Sequence, residues 1–238
     1  RGAKIVVIAP EYGPPSTKAD YWIPIRPQTD AALWLGVTRL MIEHKWYDEA
    51  FVKAFTDFPL LIRTDTLTRL RAHEVFSGYR SALSADGPSM KIQGFTPEQH
   101  AKLSDYVIWD EKAKGMKAVT RDDVGKRMRQ KGLVPALEGS FKVRLVDGTE
   151  VEVATLWTLY QTHLKDYDLD TVAEITRAPK DLIRQLAEDI GTMKPVGIHQ
   201  GEGINHWFHA TEMNRAAYLP LMLTGNIGKP GAGCHTWA

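Results

Sequence analysis

The sequence predicts an α/β fold in which short parallel strands alternate with helices. An apolar, β-branched run at residues 4–10 ends in proline, as expected for a strand buried on both faces of a sheet. The order of strand, glycine-containing loop and helix recurs between residues 195 and 223. This alternation is typical of Rossmann-like parallel sheets, which bind ligands at the carboxyl ends of their strands. Ligand binding at the carboxyl ends of the strands is therefore the first functional expectation.

The first 63 residues account for one part of that domain. A second short strand is predicted at residues 21–25, after a loop rich in proline and glycine. Asp30 is placed as the N-cap of a helix whose apolar residues recur at helical spacing over 31–42. Another helix is predicted at 47–55. We expect residues 1–63 to form the first part of an α/β dinucleotide-binding domain.

Residues 64–154 interrupt this pattern and predict an irregular insertion. Its clearest element is a β-hairpin at 141–153, where two alternating runs flank Asp147-Gly148. The basic run at 121–131 is typical of a solvated helix face. Turns are predicted at residues 86–88 and 96–97.

Residues 155–238 are predicted to continue the cofactor-binding region. The predicted helix at 179–190 has Pro179 in its first turn and Gly191 after its end. The predicted elements are helices at 156–164, 169–175 and 179–190 and a strand at 195–198.

Composition excludes several classes of protein and site. Thirty basic and 29 acidic residues nearly cancel, which argues against a nucleic-acid or anionic-membrane surface. Apolar runs fall far short of the roughly 20 residues that span a bilayer. Cys234 is the single cysteine, so neither a disulfide nor an iron-sulfur cluster can be held by this chain alone. Because the chain starts at Arg1 and stops after a glycine-rich loop, we expect a fragment of a larger multidomain subunit.

Glycines near the end of the chain are candidates for cofactor contact. Gly201 and Gly203 follow a predicted strand, where backbone can approach a ligand and a helix N-terminus can meet an anion. An ordinary glycine-rich turn remains the alternative. A second group follows the next helix and consists of Gly225, Gly228, Gly231 and Gly233, with Lys229 able to add positive charge.

Two blocks carry a family resemblance. Residues 201–207 (Gly-Glu-Gly-Ile-Asn-His-Trp) and 223–233 (Leu-Thr-Gly-Asn-Ile-Gly-Lys-Pro-Gly-Ala-Gly) resemble catalytic subunits of the dimethyl sulfoxide reductase superfamily. That superfamily binds molybdenum through two molybdopterin guanine dinucleotides. The Asn-His-Trp variant resembles the branch of respiratory nitrate reductases and nitrite oxidoreductases, and the similarity to nitrite oxidoreductase alpha subunits extends over essentially all 238 residues.

The resemblance suggests roles for the first loops. Residues 26–30 resemble the guanine-recognising loop, in which Asp30 would accept hydrogen bonds from the guanine N–H groups. Many relatives carry glycine where this chain has Gln28. Glu11 lies where a carboxylate can bridge the hydroxyls of a ribose, although an exposed loop acid is the simpler interpretation. A helix cap is the corresponding alternative for Asp30.

Asn205 and His206 are the candidate catalytic residues. The resemblance places this pair near molybdenum and pterin, where histidine can bind a pterin or an oxyanion and change charge near neutral pH. A histidine before an aromatic residue more often caps or packs. The metal ligand, an aspartate in this branch, and the cluster-binding motif are expected upstream of Arg1, so no metal ligand is assigned here.

The implied reaction is oxidation of nitrite to nitrate, with electrons leaving through iron-sulfur clusters in this subunit and in a beta subunit. A haem-containing or membrane-anchoring subunit and a membrane-associated complex facing the periplasm are also implied. This piece alone is expected to be inactive. Alternatives are a nitrate reductase, a selenate or chlorate reductase, or a dimethyl sulfide or ethylbenzene dehydrogenase. A nucleotide-binding regulatory domain would need Gly-x-Gly-x-x-Gly after the first strand, which residues 9–13 lack. A structural subunit without molybdenum is the third class.

Overall fold

The computed structural model describes residues 2–81 and 105–236. The turns predicted at 86–88 and 96–97 lie outside these residues. The strands are β1 (Val6–Ala9), β2 (Tyr21–Pro24), β3 (Leu61–Arg63), β4 (Tyr106–Asp110), β5 (Gly115–Val119), β6 (Ser140–Arg144), β7 (Glu150–Thr155), β8 (Gly197–Gln200) and β9 (Gly233–Thr236). The helices are α1 (Asp30–Glu43), α2 (Glu49–Phe55), α3 (Ala72–Val75), α4 (Lys126–Gln130), α5 (Leu156–Leu164), α6 (Leu169–Thr176), α7 (Lys180–Thr192), α8 (Glu202–Asn205) and α9 (Ala210–Leu223), with a 3-10 helix at Pro14–Lys18.

The strands form several small sheets. β1 pairs with β2 and β8 with β9, both in parallel. β3, β7 and β6 form an antiparallel sheet, and β4 pairs with β5 in the same manner. The mixed α/β prediction is thus confirmed. A continuous Rossmann-like sheet is not: over the described ranges the parallel strands form two separate pairs, and every residue of β1 is half-buried rather than buried.

The chain divides into two compact units. Unit 1 comprises Arg1–Glu49 and His163–Ala238, and unit 2 comprises Ala50–Thr162. Unit 2 is therefore inserted in the sequence of unit 1. The sequence places domain boundaries after residues 63 and 154, which are not the points where these compact units divide; the predicted functional domains stay a prediction.

Helix α1 is the centre of unit 1, because α6, α7 and α9 all pack against it. Its buried face includes Leu33, Val37 and Met41, each fully inaccessible to solvent. Gly36 permits a close approach to α6, since a Cβ there would lie 2.6 Å from Cγ2 of Val172. This packing fixes the start of α1, where the first candidate site residues lie.

The predicted hairpin in unit 2 is confirmed by the antiparallel pairing of β6 with β7. Its turn is longer than a two-residue loop: Gly148 donates to the carbonyl of Leu145, and Leu145 donates to that of Thr149. Gly148 has φ +88°, so the turn is a type I turn followed by a glycine bulge. The solvated basic helix predicted at 121–131 is confirmed for 126–130, where α4 contains no buried residue, but not for the start of the run, where Asp122 and Asp123 are buried outside the helix.

Several element boundaries differ from the prediction. Thr29, not Asp30, is the N-cap of α1, and Asp30 is its first helical residue. Pro179 is the N-cap of α7 rather than a residue of its first turn. Gly191 lies inside α7, where a Cβ would be 2.5 Å from that of Trp46, so glycine serves packing instead of termination. β8 begins two residues later than predicted, since Pro195 cannot donate a ladder hydrogen bond.

Over the two described ranges, none of the helices combines the length and apolar character needed to cross a bilayer.

Candidate functional site

The loops after β1 and β2 leave the same edge of a parallel pair, because Ala9 is in register with Pro24. The end of β1 is held by the indole of Trp22, whose Nε1 donates to the carbonyl of Ala9 at 2.9 Å. The ring of Tyr12 then meets Trp22 edge to face, with centroids 5.4 Å apart. Glu11 and Asp30 thus lie in loops or helix starts beyond one common strand edge.

Asp30 is half-buried and lacks a countercharge. Its carboxylate accepts a hydrogen bond from its own backbone N–H, and no other group in the described part of the chain pairs with it. Burial raises the pKa of the Asp30 carboxyl, and the backbone hydrogen bond only partly offsets this. A desolvated acceptor of this kind would be stabilised by N–H donors from a ligand. The predicted capping role is wrong, which leaves the carboxylate available for that purpose.

Gln28 adopts the left-handed conformation, with φ +74°. Glycine populates this region freely, whereas other residues meet a steric cost. The position therefore has the backbone shape of a glycine although the side chain is glutamine. The tight loop that contains Gln28 is closed by Thr29, whose hydroxyl donates to the carbonyl of Arg26 at 2.7 Å.

Glu11 is exposed, and within residues 2–81 and 105–236 its side chain has no partner. Nearby, Ser16 is 4% exposed and its hydroxyl oxygen is buried without a hydrogen bond. Thr17 and Asp20 serve local structure, because Thr17 donates to the carbonyl of Pro14 and Asp20 accepts from the backbone of Ile5. Glu11 is thus accessible to a ligand, whereas the unpaired hydroxyl of Ser16 is enclosed by the loop.

The second glycine group forms a loop between α9 and β9. The four glycines of this group all have positive φ: Gly225 (+66°), Gly228 (+77°), Gly231 (+76°) and Gly233 (+114°). A Cβ at Gly228 or Gly233 would meet no atom within 4 Å, so there is open space beside the backbone. The positive φ angles therefore favour glycine at all four positions, and the open space beside Gly228 and Gly233 leaves room for a ligand.

Asn226 ties this loop to β8. It is fully buried; its Oδ1 accepts from the backbone N–H of Val196 at 3.1 Å, and its Nδ2 donates to the hydroxyl of Thr224 at 2.7 Å. The N–H of Gly233 adds a bond to the carbonyl of Val196 at 3.1 Å. The loop is thus held at the amino end of β8.

The first glycine group lies at the other end of β8. Gly201 and Gly203 are exposed, and a Cβ at either would meet nothing within 4 Å. The glycine-containing loop expected after the strand holds a helix of four residues, α8, and the helix that follows, α9, starts at Ala210. His209 has φ +62° between them, which breaks the helix. A helix N-terminus of this length is a weak anion site, so contact here would depend on side chains and on the open backbone at Gly201 and Gly203.

The candidate catalytic pair closes α8. His206 is exposed, with Nε2 3.9 Å from a carboxylate oxygen of Glu202. Asn205 is also exposed, and its Oδ1 accepts a hydrogen bond at 2.8 Å from Nδ2 of Asn214. The two side chains are adjacent and available to a ligand at the carboxyl end of β8.

The structure therefore places the two glycine groups at opposite ends of one pair of strands. Parallel pairing places Gly197 beside Gly233 and Gln200 beside Thr236. The second glycine group lies at the amino end of this pair and the first at its carboxyl end, about 10 Å apart along the strand. An extended ligand could contact both groups, whereas a compact one could contact only one.

Sequence reasoning assigned no role to Asn214, Gln200 or Asn226. A compositional signal was available, since the chain has only three asparagines and all lie between positions 205 and 226. Asparagine concentrates where side chains must both donate and accept hydrogen bonds. Their partners depend on tertiary contacts and could not be read from spacing.

Cys234 is half-buried in β9, and burial raises the pKa of its thiol. It therefore stays protonated at neutral pH and is a poor metal ligand. In the portion of the chain that the structure describes, no group of three or more His, Cys, Asp or Glu side chains could hold a metal ion.

The sequence profile of the molybdopterin oxidoreductases matches residues 1–237. The chain belongs to the molybdopterin oxidoreductase family. Membership implies an oxidoreductase that carries molybdenum on a molybdopterin cofactor.

Relatives of this chain include alpha subunits of oxyanion reductases. Perchlorate reductase subunit alpha from Dechloromonas aromatica is 32% identical over 243 residues, covering 98% of this chain and 25% of that protein. Respiratory nitrate reductase subunit alpha from Haloferax mediterranei is 30% identical over 240 residues, covering 98% and 22%. This chain thus spans about a quarter of the length of these relatives.

A solved structure shares the fold. Acetylene hydratase from Pelobacter acetylenicus superimposes with a TM-score of 0.50 at 17% sequence identity, covering 97% of this chain and 18% of that one. At this identity the likeness concerns the fold alone.

The described residues fit the family cofactor on structural grounds. Asp30 is a half-buried acceptor without a countercharge, and Ser16 has a buried unpaired hydroxyl. Gly228 and Gly233 leave open space that a Cβ would reduce. These features are expected where a polar ligand supplies N–H donors to Asp30 and lies against the glycine backbone.

Proposed function

We propose that the full-length protein is the molybdenum-containing catalytic subunit of a nitrite oxidoreductase. The reaction is NO₂⁻ + H₂O → NO₃⁻ + 2H⁺ + 2e⁻. The observation that carries this proposal is the adjacent, exposed pair Asn205 and His206 at the carboxyl end of β8. Both side chains can donate hydrogen bonds to an oxyanion. The Asn-His-Trp sequence and the relatives named as reductases of nitrate and perchlorate support the same substrate class.

The cofactor proposed is molybdenum with two molybdopterin guanine dinucleotides. When bound, it supplies oxygen-atom transfer and takes up the two electrons. Asp30 would accept hydrogen bonds from a guanine, and Glu11 would bind a ribose. The backbone of the glycine loops would lie against pterin or pyrophosphate, at Gly201 and Gly203 at one end of β8 and at Gly225, Gly228, Gly231 and Gly233 at the other.

The chain's own contribution at the reacting end is to bind and orient the anion. Asn205 would donate to a nitrite oxygen, and His206 would donate to a second oxygen when protonated. His206 can also accept a proton released from water, and a carboxylate oxygen of Glu202 lies 3.9 Å from its Nε2. Orientation of this kind lowers the entropic part of the barrier.

We propose an iron-sulfur beta subunit and a haem-containing or membrane-anchoring subunit as partners, because the electrons need an exit route. The relatives named as alpha subunits support an assembly of several subunit types. Iron-sulfur clusters of the full-length subunit would be held by residues outside this chain. A membrane-associated complex facing the periplasm is the proposed location.

A nitrate reductase is the second candidate, supported by the relative from Haloferax mediterranei. The purified full-length complex should be assayed in both directions, as nitrite oxidation with an artificial electron acceptor and as nitrate reduction with reduced viologen. We expect the complex to contain molybdenum and to oxidise nitrite faster than it reduces nitrate. Turnover of nitrate, chlorate, selenate or dimethyl sulfide with none of nitrite would overturn the nitrite assignment. A complex without molybdenum would favour a structural subunit or a regulatory domain.

A further inference from the structure

Asn214 holds the side chain of Asn205 in one orientation. Nδ2 of Asn214 donates to Oδ1 of Asn205 and to the backbone carbonyl of Ala210, both at 2.8 Å. These bonds use both hydrogens of the Asn214 amide. Rotating that amide by half a turn would face its oxygen with two acceptor oxygens, so its orientation is determined by the contacts themselves.

The orientation of Asn205 follows from this. Because its Oδ1 faces the Asn214 donor, its Nδ2 is directed away from that residue. In residues 2–81 and 105–236, no acceptor pairs with the two N–H groups of Asn205. The exposed end of Asn205 is therefore the donor end, which suits a ligand that carries acceptor oxygens.

Asn214 is itself anchored to the strand that leads into the loop. Nε2 of Gln200, the last residue of β8, donates to the Asn214 carbonyl at 3.4 Å. Gln200 is 5% exposed, and its Oε1 is buried without a hydrogen bond. A buried acceptor left unpaired is costly, which is expected where a ligand or an ordered water completes the set. Gln200 thus holds the backbone of α9 at Asn214, and the side chain of Asn214 in turn holds Asn205 at the candidate anion contact.

We infer that Asn214 is a positioning residue, which fixes the Asn205 amide so that its N–H groups face an oxyanion substrate. This inference rests on the proposed function, since it assumes that Asn205 contacts the anion. If the bond from Asn214 only linked α8 to α9, replacing Asn214 would affect folding, and its effect on kcat/KM would not depend on Asn205.

The test uses the full-length complex with nitrite and nitrate as substrates and a double-mutant cycle. Asn214→Asp replaces the donor by an acceptor, so the Asn205 amide should turn and present its oxygen to the anion. We expect kcat/KM to fall by about 10- to 150-fold, mainly through KM, because a hydrogen bond to a charged group is lost. In an Asn205→Ala background the same change should alter kcat/KM by less than about twofold. Molybdenum content should be equal in all variants.

Equal losses in both backgrounds, or no loss in either, would overturn the positioning role. If Asn214→Asp fails to retain molybdenum, Asn214→Ser applies the same cycle without adding a charge, with a smaller loss expected and the same dependence on Asn205. The outcome for Asn205→Ala alone separates the two ideas. If Asn205→Ala lowers kcat/KM while the Asn214 variants keep full activity, the proposed function stands and this inference is refuted. If Asn205→Ala leaves turnover unchanged, the proposed role of Asn205 is refuted.

Discussion

Replacing Asn226 with alanine should loosen the start of β8 and the glycine loop together. The hydrogen bond to Thr224 disappears, which costs about 0.5–1.5 kcal/mol, and the backbone N–H of Val196 loses its partner at a cost of about 1–3 kcal/mol. The local opening free energy should fall by about 1.5–4.5 kcal/mol. Since each 1.4 kcal/mol is a factor of ten, amide exchange should accelerate by about 10- to 2,000-fold.

Hydrogen–deuterium exchange on the full-length protein can resolve this effect in peptides that cover residues 195–200 and 225–233. Asn205→Ala is the matched control, because it removes the same group from an exposed residue and should leave both peptides unchanged. Exchange within about threefold of wild type in the Asn226→Ala protein would show that the buried amide does not hold the loop.

Three further predictions, for Gln28, Asp30 and Gly36, test the loops and the helix packing through the thermal midpoint of the full-length protein. Gln28→Gly should be neutral or stabilising by up to about 1 kcal/mol, whereas Gln28→Val should destabilise, because a β-branched residue fits φ +74° poorly; equal midpoints would contradict the left-handed assignment. Burial raises the pKa of Asp30, so the folded state binds its proton more tightly and the stability penalty grows as pH rises from the unfolded towards the folded pKa. Asp30→Asn should therefore stabilise cofactor-free protein at neutral pH but not in acid, and should weaken guanine nucleotide retention; a pH-independent effect would contradict this. Gly36→Ala should destabilise by about 1–3 kcal/mol through overpacking on Val172, and Val172→Ala should recover part of the loss, whereas strictly additive effects would refute that contact.

Local signals predicted the elements that depend on local chemistry. The β6–β7 hairpin follows from Asp147-Gly148, and the helices α1, α5 and α6 follow from apolar periodicity. Gly191 shows where such signals fail: a glycine near a helix end suggests termination, but here it makes room for Trp46 from a distant part of unit 1. No pattern within α7 contains that information.

The sequence indicates which residues are candidates for the site, but it does not show how they are arranged. Positive φ at Gly225 and Gly233 agrees with the need for glycine, because that need is a local backbone property. The placement of these residues at the end of β8 opposite to Gly201 depends on the pairing of β8 with β9, which spacing does not reveal. The roles of Asn226 and Asn214 likewise depend on single tertiary hydrogen bonds.

The discontinuity of unit 1 has a consequence for synthesis of the protein. Arg39 of α1 bonds the carbonyl of Leu164, 125 residues later, and the other helices that cover α1 follow still further along the chain. At 5–20 residues per second, the ribosome needs about 6–25 seconds to supply that first partner. Leu33, Val37 and Met41 would remain uncovered in the nascent chain for at least that interval, which makes α1 the segment where a chaperone is most useful.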